Sequence, residues 1–332
     1  MRSAAPSIPV TSARSFGASV QRHQVWAYVV ATVLGVALGA RRPAVADVLE
    51  VAVWPALAAL LLATFTQTPL AAIRAAMRDR RFFVTALVAN FVLLPMLVWA
   101  LVGLVPADDA LRLGLLLVLL VPCTDWFITF TQLGRGDTAR AVALTPMNLV
   151  LQLVLLPVYL WLLAGPQFSI SVRVQDLWPA LVVVLGPLLL AISAEPLLRR
   201  QPAGERVRAG LGHAPVPLLA AVIFAVAASN AETAWQARTF LPVVLAVVTA
   251  FLVGALLLAK VSTAVVGLSA PAGRTLAFTL ATRNSFVVLP VALALPAGWE
   301  LAALVVVMQS LVELLGMIIC LRVVPRWVVP DR

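Results

Sequence analysis

Apolar residues come in runs of 15 to 24 along the chain, separated by short segments that hold most of the charge. A helix needs about 20 such residues to cross the hydrocarbon of a bilayer. The runs are Val25–Ala40, Val48–Thr66, Phe82–Val105, Leu113–Leu133 and Ala141–Ala164, then Trp178–Ala194, Pro215–Ser229, Phe240–Ala259, Thr275–Leu295 and Leu301–Leu321. The pattern predicts an all-α integral membrane protein of ten transmembrane helices, the first and seventh short. The connecting loops are too brief to hold an inserted soluble domain.

The basic residues test this count. With the N-terminus in the cytoplasm, the loops and tails on the cytoplasmic side hold 18 Lys and Arg and those outside hold 5: Arg41, Arg42, Arg112, Arg173 and Arg238. Such a bias is how a membrane protein sets its orientation. It supports ten spans with both termini inside, Arg41 and Arg42 being the discordant pair. Composition agrees, with 62% hydrophobic and 11% charged residues, against about 25% charged in soluble domains. A net charge of +10 therefore reads as topology and not as a nucleic-acid surface. Arginine outnumbers lysine 23 to 1, which points to a GC-rich bacterial genome and hence to a bacterial plasma membrane.

Ten spans divide into two five-helix halves. An odd-numbered half enters the membrane in the opposite sense to its copy, so the halves form inverted repeats, a common transporter plan. The expected organisation is a cytoplasmic tail over 1–24, a first repeat over 25–165, a second over 177–322 and a cytoplasmic tail over 323–332. The fourth and ninth runs alone carry polar clusters at their centres: Pro122-Cys123-Thr124-Asp125 and Thr282-Arg283-Asn284-Ser285. Paired interruptions at matching places in two repeats point to a transporter's binding site.

Three ionisable residues lie within spans: Asp125, Arg283 and Glu313. Each is nine or ten residues from a basic residue at the cytoplasmic end (Arg135, Arg274 and Arg322), or about 13–15 Å along a helix. Equal depth predicts that Arg283 pairs with Asp125, Glu313 or both, which offsets the desolvation of each. One reading is a lock between helices. The other is a coupling device in which a carboxylate exchanges a proton. Cys123, beside Pro122 at the break, is a soft ligand suited to a thiophilic solute, or else a small apolar packing group. Cys320 reads as packing, and no disulfide framework is implied. Asn90, Asn148, Gln152 and Gln309 are polar side chains within apolar runs and either line a pathway or bridge helices. Asp137, in the string Gly134-Arg135-Gly136-Asp137, falls in a cytoplasmic turn. His23 and His213 lie outside the spans, and the sequence holds no nucleotide-binding fingerprint, so no cofactor is expected.

At the central strings of spans four and nine the chain resembles the bile acid/sodium symporter superfamily, and within it the arsenite efflux permease branch, over about residues 25–325. The resemblance implies two inverted five-helix repeats whose discontinuous fourth and ninth helices cross at the substrate site. It implies that Cys123, in VPCTDWFITF, is the transport cysteine and contacts As(III), and that Asn284 belongs to the ninth-helix motif. Thr124, Asn284 and Ser285 complete the expected substrate site, with Asp125, Arg283 and Glu313 as the coupling groups. The charges are swapped relative to that branch: the acid stands in span four and the base in span nine. A basic ninth-helix residue repels sodium, which favours proton coupling. The expected function is arsenite efflux driven by the proton gradient. Import or exchange of an organic anion, with Arg283 as counter-charge, is the alternative, and an enzymatic role finds no reactive constellation. The expected partners are the lipid bilayer and a small inorganic or organic solute, with no nucleic acid; a homo-oligomer stays open.

Overall fold

A computed structural model shows an all-helical membrane protein and describes residues 10–67, 79–124, 126–163, 178–200, 202–232, 235 and 238–331. In chain order the helices are α1 (Val10–Arg41), α2 (Pro43–Thr66), α3 (Arg80–Gly103), α4 (Asp109–Leu119), α5 (Trp126–Leu133), α6 (Thr138–Leu163) and α7 (Trp178–Arg200). They continue with α8 (Pro202–Gly212), α9 (Pro215–Ser229), α10 (Leu241–Val266), α11 (Ala270–Ala281), α12 (Ser285–Leu293) and α13 (Glu300–Val323). Among the described residues six helices, α2, α3, α6, α7, α10 and α13, are long and apolar enough to cross a membrane. The pair α8 and α9 meets the same criterion across a 45° bend.

The fourth apolar run is broken into α4 and α5, and the ninth into α11 and α12. Both breaks follow from their sequences. Thr282 turns extended and ends α11, and two residues on the Asn284 side chain accepts from the Val287 amide at 3.3 Å and caps α12. In the fourth run, Pro122 brings no amide to continue α4.

A second irregularity lies in the third run, next to Pro95. Within α3 the residues Ala89–Leu93 form a π-turn. Pro95 has no N–H to offer the Phe91 carbonyl one turn earlier. That carbonyl instead accepts the Tyr159 hydroxyl from α6 at 2.5 Å. The turn presents Asn90, which is fully buried, to the interior.

Burial separates the elements. The inner faces of α4, α11 and α12 close on protein around nearly their whole circumference. By contrast α7 and α10 leave rows of large apolar side chains uncovered, Leu181, Val182, Leu185 and Leu189 on one and Leu245, Val253, Leu257 and Val261 on the other. Those rows face the lipid. Irregular backbone is tolerated at membrane depth only where protein or a cavity surrounds it, and that is where both breaks lie. Helix α1 packs along α9 through Gly35 and Gly39, whose missing side chains let the backbones meet: a Cβ on Gly39 would stand 2.0 Å from the Ala228 carbonyl.

Three segments outside the apolar runs carry structure of their own. Within the expected N-terminal tail, 1–24, the chain is helical from Val10, and no proline interrupts Val10–Arg41. The connection between the sixth and seventh runs holds the helix α8, which its charged residues hid from an apolar count. In the expected C-terminal tail, 323–332, α13 runs on through a π-turn at Val324–Val328, and the residues after it are strapped to α11: Arg274, 2% exposed, donates to the Val329 carbonyl at 3.0 Å and to Asp331 at 2.7 Å.

Candidate functional site

The two breaks cross and bond to each other. Cys123 N–H donates to the Thr282 carbonyl at 3.2 Å, and Asn284 N–H donates to the Val121 carbonyl at 2.8 Å. Pro122 and Arg283 thus form an antiparallel bridge, the one such pairing among the described residues. Across the same crossing Asn284 Nδ2 donates to the Thr124 hydroxyl at 3.0 Å.

The crossing has two chemically different faces. One is made by the N-terminal ends of α5 and α12, together with α13. There Cys123, Trp126, Asn284, Ser285, Phe286, Ser310 and Glu313 surround a small pocket with room for about one water molecule, which Arg283 also borders. A run of hydrogen bonds lines it. Ser310 Oγ lies 2.7 Å from Ser285 Oγ, which donates to Gln309 Oε1 at 3.2 Å. Gln309 Nε2 in turn donates to Glu313 Oε2 at 2.7 Å, and the same oxygen accepts the Arg283 amide at 2.9 Å. On the outer side Trp126 is stacked on Tyr28 of α1 and meets Phe286 edge to face. The thiol of Cys123 is therefore at the positive ends of two short helices, among hydroxyls and amides, and 2% exposed.

The other face is made by the C-terminal ends of α4 and α11. Here the Arg283 guanidinium donates to the carbonyls of Leu119 at 3.3 Å, Thr279 at 2.9 Å and Leu280 at 2.9 Å, and to Asn90 Oδ1 at 3.1 Å. Its carbon stands 5.2 Å from the centre of the Phe251 ring. Thr279 also receives amide groups from Asn90 at 3.4 Å and Asn148 at 3.3 Å. Asn90 and Asn148 thus bridge helices here. Gln152 is also buried, and among the described residues its amide has no hydrogen-bond partner.

Of the residues expected at the substrate site, Cys123, Asn284 and Ser285 line the pocket, and Thr124 supports it through Asn284. The coupling groups divide. Glu313 is on the thiol face and meets Arg283 through the backbone amide, whereas the Arg283 side chain points into the carbonyl face. Asp125 lies outside the described residues, and so does its expected pairing with Arg283. Cys320 is buried, as a packing residue would be. Asp137 is in a turn, where it caps α6 by accepting the Arg140 amide at 3.0 Å. Sequence reasoning missed Trp126, Phe286 and Ser310. Aromatic rings and a lone serine in an apolar run carry no signal that separates a site from packing.

The sequence profile of the sodium bile acid symporter family matches residues 54–237, just over half of the chain. The matched part contains Cys123 and the first break, while Arg283 and Glu313 lie beyond it. No curated protein matches the sequence.

Proposed function

The chain belongs to the sodium bile acid symporter family, a family of membrane transporters, and from that premise we propose that it exports trivalent arsenic, as arsenite, driven by the proton gradient. In this reading it is a secondary transporter of a bacterial plasma membrane and not an enzyme. It has ten spans in two inverted five-helix repeats, with both termini in the cytoplasm.

The observation that carries the reading is the thiol pocket at the crossing. Arsenite at neutral pH is the small uncharged acid As(OH)3, which matches a space the size of a water better than it matches a steroid. The Cys123 thiol exchanges with one hydroxyl: an As–S bond forms, an As–O bond breaks, and the thiol proton leaves with the hydroxyl as water. A single thiol bond is readily reversed, as a carrier requires. In this reading the Asn284 amide and the hydroxyls of Ser285 and Ser310, which line the same pocket, hold the remaining arsenic hydroxyls. Glu313, tied through Gln309 to Ser285, is the carboxylate that exchanges the driving proton. Asp125 is its expected companion.

A second reading, sodium-coupled uptake of an organic anion, is favoured by the family's own description. Expression in arsenite-sensitive cells separates the two. The wild-type chain is expected to restore growth on arsenite and lower cell-associated arsenic at least about tenfold, and Cys123→Ser to abolish both while remaining at wild-type abundance in the membrane. Glu313→Gln should bind arsenite yet lose its dependence on the proton gradient. Sodium-dependent accumulation of a steroid carboxylate or sulfonate, unchanged in Cys123→Ser, sinks the arsenite reading and establishes the other.

A further inference from the structure

The carbonyl face is a cation site that the chain fills with its own side chain. Its oxygens are released by the crossing itself. In an unbroken α4 the Leu119 carbonyl would accept the Cys123 amide, but that amide donates to Thr282 instead. In an unbroken α11 the Thr279 and Leu280 carbonyls would accept the amides of Arg283 and Asn284. Those amides donate to Glu313 and Val121. Three carbonyls are thereby left without their helical donors, and all three accept the Arg283 guanidinium.

Asn90 Oδ1, presented by the π-turn of α3, supplies a fourth oxygen at 3.1 Å. The ring face of Phe251 covers one side. Two helix C-termini converge here, each carrying about half a negative charge, and together they balance about one cation. Unwound carbonyls and half-helix C-terminal ends are also how broken-helix transporters coordinate a free alkali ion.

We infer that the Arg283 guanidinium is a tethered cation occupying an oxygen-lined alkali-ion site, so that the wild-type protein needs no free sodium at this position and loss of the guanidinium opens a sodium site in its place. The inference rests on the cage and not on the identity of the solute, so it stands or falls separately from the arsenite reading. It makes the positive charge of the site permanent, where a free ion would come and go with each cycle.

The test is thermal unfolding of the full-length protein in detergent, in about 300 mM sodium chloride against the same concentration of choline chloride. Wild type and Arg283→Lys, which keeps a tethered cation, are expected to melt within about 1 °C in the two salts. Arg283→Ala is expected to melt lower than wild type in choline and to regain about 3 °C or more in sodium, since an ion that binds only the folded state stabilises it in proportion to its occupancy. Three results overturn the inference: a wild type that gains as much in sodium as Arg283→Ala, an Arg283→Ala protein that gains nothing, and an Arg283→Ala protein that aggregates equally in both salts.

Discussion

Two arginines, one at the exposed edge of the helical bundle and one at the crossing, solve the same problem by opposite means. Arg140 sits at the start of α6, about a third exposed, and is clamped by carboxylates. Its Nε and Nη2 reach Asp79 Oδ2 at 2.8 and 2.6 Å, and its Nη1 meets Asp137. Arg283 is 3% exposed, and the side-chain partners described for it are three backbone carbonyls and one amide. At the edge, water screens the charges and spares the full desolvation of each acid, so a carboxylate clamp is inexpensive to form. In the interior a charge loses its hydration, and the carbonyl dipoles of two broken helices supply the hydrogen bonds in its place, with the charge of Glu313 nearby. The difference shows what the helix breaks accomplish: they convert backbone into ligand.

Because the interior arrangement is shielded from salt and the edge one is not, damage to the two regions should differ in size and in salt response. The largest effect is expected from Asn90→Leu, which deletes one of the four oxygens and strands a buried charged donor. We expect a loss of about 2–3 kcal/mol, equal at low and high ionic strength, read from melting temperatures in detergent. A loss that halves in high salt would mean that water reaches the guanidinium and that the crossing is screened as the edge is. Next in size is Tyr159→Phe, which leaves the Phe91 carbonyl of the π-turn without its hydroxyl donor. About 1–2 kcal/mol is expected, again independent of salt. If the π-turn is sustained by other contacts, the melting temperature will not move.

Much of this was legible in the chain because polar residues are conspicuous in apolar runs. Pro122-Cys123-Thr124-Asp125 and Thr282-Arg283-Asn284-Ser285 stood out for that reason, and the crossing does occur between those two strings. Asn90, Gln309 and Asn148 stood out in the same way, and each takes part in the buried hydrogen-bond network. The partners of Arg283 were not legible. Charge counting sought an acid, whereas the carbonyls that answer it belong to Leu119, Thr279 and Leu280, whose side chains say nothing. Their availability depends on two breaks far apart in sequence exchanging hydrogen bonds, a property of the pair and of neither alone. The strap at Val329 and Asp331 was hidden for a related reason: Arg274 read as one more cytoplasmic positive charge, and its burial depends on contacts with the C-terminal residues that the apolar pattern does not encode.

The smallest expected effect sharpens the other side of the comparison. Burial pushes the Asp79 carboxyl up, but the Arg140 hydrogen bond, the Phe82 amide and the charges of Arg140 and Arg81 outweigh it and hold the group below its ordinary value of 3.8. A carboxyl whose folded value is depressed stabilises the fold at any pH above its unfolded value, about 3.9, and loses that contribution as pH falls through the lower folded value. Asp79→Asn tests this cleanly. Asparagine remains able to cap α3 by accepting the Phe82 amide, as Asp79 does at 3.2 Å, so the substitution removes charge and leaves the cap. With both partners about a third exposed, the pair is worth about 0.5 kcal/mol after solvent screening. The melting gap between wild type and Asp79→Asn should be constant from pH 7 to about pH 5, shrink in high salt, and close below about pH 4. A gap that survives in strong salt and acid would place Asp79 among the shielded groups of the interior, and the edge would then work by the same rule as the crossing.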